Sequence, residues 1–304
     1  MRLQVVAACE LPSPVVLADD LLVHGDNLDV LPRLPDGAFD VVYIDPPFNT
    51  GREQRRRTLR VVADDEGDRT GFAGRRYRTR EVGSLAYADA FEDYVGFLAP
   101  RLRHARRLLA QHGTLYVHLD ARESHYVKVH LDTLFGRECF LNEIVWAYDY
   151  GARTKSRWSP KHDTILWYAK DPARYTFDYD AIDRIPYLAP KLVGPVKAAR
   201  GKTPTDTWWN TIVSPTGKEK TGYPTQKPLA ILERIVRVHS RPGERLLDFF
   251  AGSGTLGEAA VRNGRSAVLV DSNPVAARVM AKRLAFASPR CIGFSPRAAK
   301  TIRA

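Results

Sequence analysis

The sequence predicts an α/β protein built on a doubly wound, mostly parallel sheet. Three observations support this. Short apolar runs end in an acid at their tip: VVLADDLLVH at 15–24 leads to Asp26, residues 39–44 lead to Asp45, RLLDFF at 245–250 holds Asp248, and RSAVLVDSN at 265–273 holds Asp271. Segments with helical spacing of apolar residues follow most of these runs, so strand and helix alternate. A glycine-rich turn, AGSGTLG at 251–257, leads from a strand directly into a helix, as it does in nucleotide-binding parallel sheets.

In chain order, residues 15–24 read as a short strand or pair of strands, and LDVLPRLP adds a helical turn. Residues 39–44 form a strand that IDPPFNTG at 44–51 must end. Two consecutive prolines bring no N–H to a ladder, and each fixes φ at about −65°. The result is a stiff corner with the Asp45 carboxylate near the Phe48 ring. A plain strand-terminating turn is the alternative reading of that stretch taken alone. Residues 51–86 then lose periodicity, with ten Arg and five acids between 51 and 80. They are expected to be a flexible Arg-rich insert, either solvated or ordering over a phosphate backbone.

From 87 the pattern turns helical, with Phe91, Tyr94, Leu98, Leu102 and Ala105 in register, a kink at Pro100 and a stop at Gly113. GTLYVHLD is a strand, SHYVKVHLDTLFG a helix, and FLNEIVWAYDY and HDTILWYAK are antiparallel strands. Residues 170–222 show no strong period. Between 150 and 222, thirteen Lys/Arg face seven acids, with Trp158, Trp208 and Trp209 interleaved. That mixture suits either a nucleic-acid surface or a small core. YPTQKPLAILERIVRVHS is a Pro-initiated amphipathic helix, and strand, glycine turn, helix, strand and helix complete the chain. The expected organisation is 1–150, 151–222 as hairpin and recognition segment, and 223–304.

Bulk composition narrows the function. The chain has 304 residues, 44% hydrophobic and 27% charged, which suits a globular protein. Its net charge of +11 favours a polyanionic partner. Cys9, Cys139 and Cys291 are few, odd in number and far apart, which predicts reduced thiols in a cytosol. No histidine or cysteine cluster has metal-ligand spacing, so no metal is expected. MRLQVVAACELPSP is too short in its apolar part for a signal peptide, and no apolar run suits a membrane span.

Gly252, Gly254 and Gly257 match G-x-G-x-x-G, with Asp271 about twenty residues on, which is also the dinucleotide-binding context. A nicotinamide-dependent oxidoreductase is therefore a rival reading. Asp248 lies just before the loop, where it would repel a pyrophosphate and favour a cationic ligand. S-adenosylmethionine, a sulfonium with an ammonium, is such a ligand.

Taken together, IDPPFNTG at 44–51, YPTQKPLAILERIV at 223–236, LDFFAGSGT at 247–255 and VDSNP at 270–274 resemble, in that order, the DNA amino-methyltransferases of the permuted β class. LDTLFGRECFLNEIVWAY and SPKHDTILWYAK are similar to type III modification subunits and their solitary relatives. The resemblance implies a Rossmann-like methyltransferase fold of seven strands with an inserted target-recognition segment. It implies methyl transfer from S-adenosyl-L-methionine to adenine N6 of a flipped base, with cytosine N4 as the alternative. A catalytically dead DNA-binding protein is the non-enzyme alternative.

By position, Asp45 and the Pro46 carbonyl would accept the target amino hydrogens, kept rigid by Pro47, while Phe48 would stack on the base. Asp248, Phe250, Gly252, Ser253, Gly254 and Thr255 would line the methionine end of the cofactor, next to Asp45. Asp271 would hold the ribose, Asp26 would meet the adenine, and Thr225, Gln226 and Lys227 would close the pocket. Double-stranded DNA is the expected partner, in a bacterial or archaeal cytoplasm. A cognate restriction enzyme and a homodimer are left open, and no membrane partner is expected.

Overall fold

The computed structural model describes residues 15, 17, 19–51, 54–63, 69–70, 76–87, 89–151, 153–214 and 217–295. The chain separates into two compact units, Met1–Pro46 with Val95–Ala304, and Pro47–Tyr94. Its strands and α-helices are β1 (Leu21–His24), α1 (Asn27–Val30), β2 (Phe39–Ile44), β3 (Gln54–Ala63), β4 (Arg69–Thr70), β5 (Arg76–Tyr87), α2 (Tyr94–Leu108), β6 (Leu109–Leu119), α3 (Ser124–Phe135), β7 (Phe140–Ala147), β8 (His162–Ala169), α4 (Pro195–Arg200), β9 (Thr207–Trp209), α5 (Leu229–His239), β10 (Arg245–Asp248), α6 (Thr255–Arg262), β11 (Ser266–Asp271), α7 (Pro274–Arg283) and β12 (Arg290–Ile292).

The first unit holds one sheet in the order β12-β1-β11-β10-β2-β6-β8-β7-β9. The strands from β12 to β6 run parallel, β8 is antiparallel to β6 and β7, and β9 is parallel to β7. The mostly parallel α/β sheet is therefore present, with nine strands where seven were expected. The two extra strands, β12 and β9, are three-residue edges. Segments that short carry no readable alternation.

From Val41 to Ile44 β2 is apolar and buried, as a strand covered on both faces requires. One face forms a continuous core in which Tyr43, Tyr116, Ile165, Trp167, Leu246 and Leu269 meet α5, α6 and α7. α5 buries Ile231, Leu232, Ile235, Val236 and Val238. Each such aliphatic side chain contributes roughly 1.5–3 kcal/mol. α2 is tied to the turn after β1: Arg101 Nε donates to Asn27 Oδ1 at 2.7 Å, and Arg107 donates to the Leu31 and Leu34 carbonyls.

α2 ends at Leu108, short of Gly113. Leu109 already pairs with Phe39, and a bulge separates that contact from the Val41–Thr114 pairing. A Cβ on Gly113 would lie 3.0 Å from the Phe39 carbonyl oxygen, so this glycine marks a close backbone approach inside the bulge rather than a helix stop.

The boundary expected at 150/151 falls inside the β7–β8 hairpin, whose register pairs Ala147 with His162. Residues 170–222 likewise belong to the first unit. Trp208 on β9 is buried in the core, and Arg234 of α5 grips Asp183 at 2.6 Å.

The second unit corrects the expected irregular insert. β3 and β5 form an antiparallel ladder from Gln54–Tyr87 to Ala63–Tyr77, and β4 pairs on the far side of β5. Threonine, valine and tyrosine suit strands, but the arginines between them hide any alternation. Asp89 closes the base of the ladder: its Oδ1 accepts the Asn49 N–H at 2.7 Å, its Oδ2 the Thr50 hydroxyl, and its carbonyl the Gly51 N–H. No described helix is long and apolar enough to cross a membrane. Cys139 and Cys291 are buried free thiols, while Cys9 and the rest of 1–14 lie outside the described residues.

Candidate active site

The parallel strands β1, β11, β10, β2 and β6 point their carboxyl ends to one edge of the sheet. Asp26, Asp271, Asp248 and Asp45 sit at four of those ends. β10 and β2 are neighbours, but the chain leaves β2 towards β6 on one side and β10 towards β11 on the other. That reversal marks the place at the strand ends where open α/β sheets bind ligands.

Asp45 follows the last residue of β2. Its Oδ2 accepts a hydrogen bond from Lys227 Nζ at 2.5 Å, and Lys227 is 8% exposed. Its Oδ1 is buried and accepts no hydrogen bond among the described residues. Buried carboxylate oxygens are normally paired, so this one keeps an unused capacity to accept a hydrogen bond. The Lys227 backbone also joins the corner to the glycine turn, because its carbonyl accepts from Thr255 Oγ1 at 3.3 Å.

The glycine turn is braced from within. Gly252 and Gly254 have φ of 50° and 75°, in the left-handed region that glycine adopts without strain. Gly257 lets α6 lie close on β11: a Cβ there would lie 2.5 Å from Leu269 Cδ1 and 2.9 Å from Leu284 Cδ1, so both leucines would have to shift. Asp271 accepts the Gly252 N–H on one oxygen and the Asn273 N–H on the other, both at 2.8 Å. Burial pushes the Asp271 carboxyl up, against the pull of those two N–H groups.

Asp248 is buried, with Oδ1 accepting the Phe250 N–H at 2.9 Å. Burial, and then the neighbouring Asp45 and Asp271, push its carboxyl well above the ordinary range. Ser253 and Thr255 share a hydroxyl contact of 3.0 Å, and Arg283 NH1 donates to both, at 3.2 and 2.9 Å.

Beneath Asp45, on the same face of the sheet, lies a polar chain that sequence reading missed. The Tyr43 hydroxyl meets His118 Nδ1 at 2.8 Å, and His118 Nε2 meets Asp163 Oδ2 at 3.1 Å. A carboxylate only accepts, so Nε2 carries the proton and the tyrosine donates to Nδ1. Burial and the Lys227 charge hold the His118 imidazole below its ordinary range. Burial opposes ionisation of Asp163, yet His118, Lys227 and Tyr148 hold its carboxyl below the usual value. A histidine and an acid at alternate positions of apolar strands were a readable signal. Asn27 and Arg283, which brace the edge through Phe249 and Ser253, carried no comparable signal.

Other expected residues have local partners. Asp26 caps α1 by accepting the Leu28 N–H at 2.8 Å, and Arg101 lies 3.7 Å away. Gln226 is held by its own loop, accepting from Thr221 and donating to the Glu219 carbonyl at 2.8 Å. Thr225 has φ of 59° and is exposed. Phe250 packs near Phe97, with ring centroids 6.1 Å apart. Pro47 and Phe48 belong to the second unit, where the Tyr94 hydroxyl donates to the Pro47 carbonyl at 2.5 Å. Among the described residues, Asp40, His112 and Glu244 bring ligand-type atoms within 4.8 Å of one another. They lie at the amino ends of β2, β6 and β10, the edge opposite Asp45.

A family model described as DNA methylase, of the N6/N4 type, matches residues 39–283. The type II methyltransferase M.HpaI of Haemophilus parainfluenzae is 29% identical over 255 residues, covering 84% of this chain and 71% of that protein. The DNA adenine methyltransferase YhdJ of Escherichia coli (strain K12) is 28% identical over 280 residues, covering 88% and 83%. Among solved structures, the cytosine-N4-specific PvuII DNA methyltransferase superposes with a TM-score of 0.61 at 15% identity, covering 93% of this chain and 90% of that one. That likeness is one of fold.

Proposed function

The chain belongs to the DNA methylase family, and from that premise we propose that it methylates adenine N6 at a fixed site in duplex DNA, on a base flipped from the stack. It is an S-adenosylmethionine-dependent DNA methyltransferase of the N6-adenine/N4-cytosine type. The site assignments below, and the choice of adenine, are our reading.

The observation that carries the reading is the divided Asp45 carboxylate, with one oxygen tied to Lys227 and the other buried and bare. An exocyclic amine is a poor nucleophile because its lone pair is delocalised into the ring. Accepting its hydrogens favours a pyramidal nitrogen with a localised lone pair. Asp45 Oδ1 takes one hydrogen, and the Pro46 carbonyl, stiffened by two prolines, takes the other. Lys227 fixes the carboxylate rotamer, so little reorganisation is left when the base arrives. Duplex DNA hides this amine, so the base must leave its stack, and Phe48 offers it a π-face.

The methyl donor supplies an electrophilic methyl group on a sulfonium. The residues present suit it. Asp248 is a buried acid that makes no ion pair among the described residues, although the Lys227 charge acts on it, and this favours a positively charged ligand over a pyrophosphate. Phe250, Gly252, Ser253, Gly254 and Thr255 form the turn beside it, Asp271 and Asp26 stand at the next strand ends, and Thr225 and Gln226 precede Lys227. This also weighs against the nicotinamide alternative.

Adenine is favoured by the acid at the clamp, where cytosine enzymes of this arrangement more often use serine, and by the adenine specificity named for the relative YhdJ. Transfer of tritium from labelled S-adenosylmethionine to DNA, followed by nucleoside analysis, tests the reading. N6-methyladenine is expected. N4-methylcytosine would overturn the base assignment, and no transfer would overturn the activity.

A further inference from the structure

The hairpin loop between β7 and β8 has a construction that methyl transfer at Asp45 does not use. Trp158 is 98% exposed at its tip, whereas Trp208 is buried in the core. The loop around it is tied by its own bonds. The Thr154 N–H donates to Ser159 Oγ at 2.8 Å, the Thr154 hydroxyl donates to the Arg157 carbonyl at 2.5 Å, and Lys161 Nζ donates to the Tyr150 carbonyl at 2.7 Å. A large apolar ring fully in water carries a cost that burial in a complex removes.

Register places this loop beside the reaction. Val117 of β6 pairs with Ile44, so His118 stands level with Asp45, Ile165 of β8 pairs with His118, and Ile144 of β7 pairs with Ile165. β7 runs parallel to β6 and leaves the sheet at the same edge as Asp45, three residues beyond that level. The loop therefore leaves the sheet roughly 10–14 Å to the side of Asp45 and about 10 Å beyond its level. Between 148 and 161 it carries Arg153, Lys155, Arg157 and Lys161 against one acid, Asp149, which pairs with Arg153 at 2.6 Å.

We propose that Trp158 is a wedge that enters the base stack of duplex DNA and occupies the space left by the extruded target, while the basic residues around it hold the flanking phosphates. This rests on the DNA methyltransferase reading and adds the residue that stabilises the opened duplex. An apolar side chain between base steps costs unstacking and is repaid by aromatic stacking. Positive charge on both sides of the ring matches the two phosphates that flank one base step.

The test compares wild type with Trp158→Ala and Trp158→Phe on two DNAs. One is an intact duplex containing the methylated site. The other is the same duplex with the target base placed opposite an abasic position, so that it is already loosened. Trp158→Ala should lose roughly five- to a hundred-fold in kcat/KM on the intact duplex, the range expected for one base stack. Most of that loss should vanish on the loosened duplex, and Trp158→Phe should stay near wild type on both.

Equal loss on both DNAs, or no loss on the intact duplex, would overturn the wedge. So would conversion of a dimer to a monomer by Trp158→Ala in sedimentation, which would assign the ring to a second copy of the chain. Duplex binding should also quench tryptophan emission in wild type more than in Trp158→Phe. If the wild-type chain methylates no DNA, the proposed function is what has failed, and the quenching measurement still decides whether Trp158 stacks on bases.

Discussion

Asp45 and Asp271 occupy equivalent places, each at the carboxyl end of a parallel strand on the same edge, yet their surroundings are opposite. Both Asp271 oxygens are taken by backbone N–H groups of its own neighbourhood. Asp45 gives one oxygen to a lysine far away in sequence and keeps the other bare and buried. The first pattern is that of a brace, which is complete before any ligand arrives. The second is incomplete without one. Both acids stand out in the sequence at strand tips, and only the hydrogen-bond accounting separates their roles.

The comparison can be broken most directly at Asp45. Asp45→Ala should reduce methyl transfer by about a hundred- to a thousand-fold or more, the scale for losing one preorganised hydrogen-bond partner. S-adenosylmethionine affinity by calorimetry should change little. Near-normal turnover would remove Asp45 from its role.

Asp271→Ala should do the reverse. It strands two backbone N–H groups, so unfolding free energy by denaturant titration should fall by about 2–4 kcal/mol. Cofactor binding should weaken more than DNA binding, and unchanged cofactor affinity would contradict its assignment.

Lys227→Met sharpens the contrast, because it removes the partner that orients the Asp45 carboxylate. kcat should fall about tenfold or more with a smaller change in cofactor affinity. A loss of cofactor affinity with kcat intact would return Lys227 to the pocket-closing role expected from its motif.

The smallest effect at neutral pH lies away from both acids. His239 is buried against Tyr116 and Trp167 and bonds the Thr176 carbonyl at 3.1 Å; burial lowers its imidazole to about 3. Its folded value is below its unfolded one, so between pH 6.5 and 3 the unfolded chain holds the extra proton. Stability is therefore lost as pH falls through that window, by roughly 1.4 kcal/mol per unit from this group. His239→Phe should flatten the acid limb of stability without altering cofactor affinity at neutral pH.

The alternation of strand and helix was legible, because apolar runs and glycine or proline stops are local signals. So were the acids at the carboxyl edge, which need only a strand end and a parallel sheet to be brought together. The Arg-rich insert was not legible, because charged side chains mask the period of a ladder whose strands pair across many residues. Gln226 was read as a pocket residue from its place in a motif, but its amide is spent on Thr221 and Glu219. The pairing of Lys227 with Asp45 crosses the two halves of the chain, and no local pattern announces it.

The position of β1 has a consequence for biosynthesis. It lies between β11 and β12, pairing with Val268–Asp271 on one side and Arg290–Ile292 on the other. A strand near residue 20 thus has both neighbours more than 240 residues further along the chain. During translation its open edges have no native partner until β11 has been made. Such long-range pairing slows folding and lengthens the time that bare edges can meet other chains. The permuted gene order therefore shifts the hazard of aggregation onto the nascent polypeptide, where chaperones act.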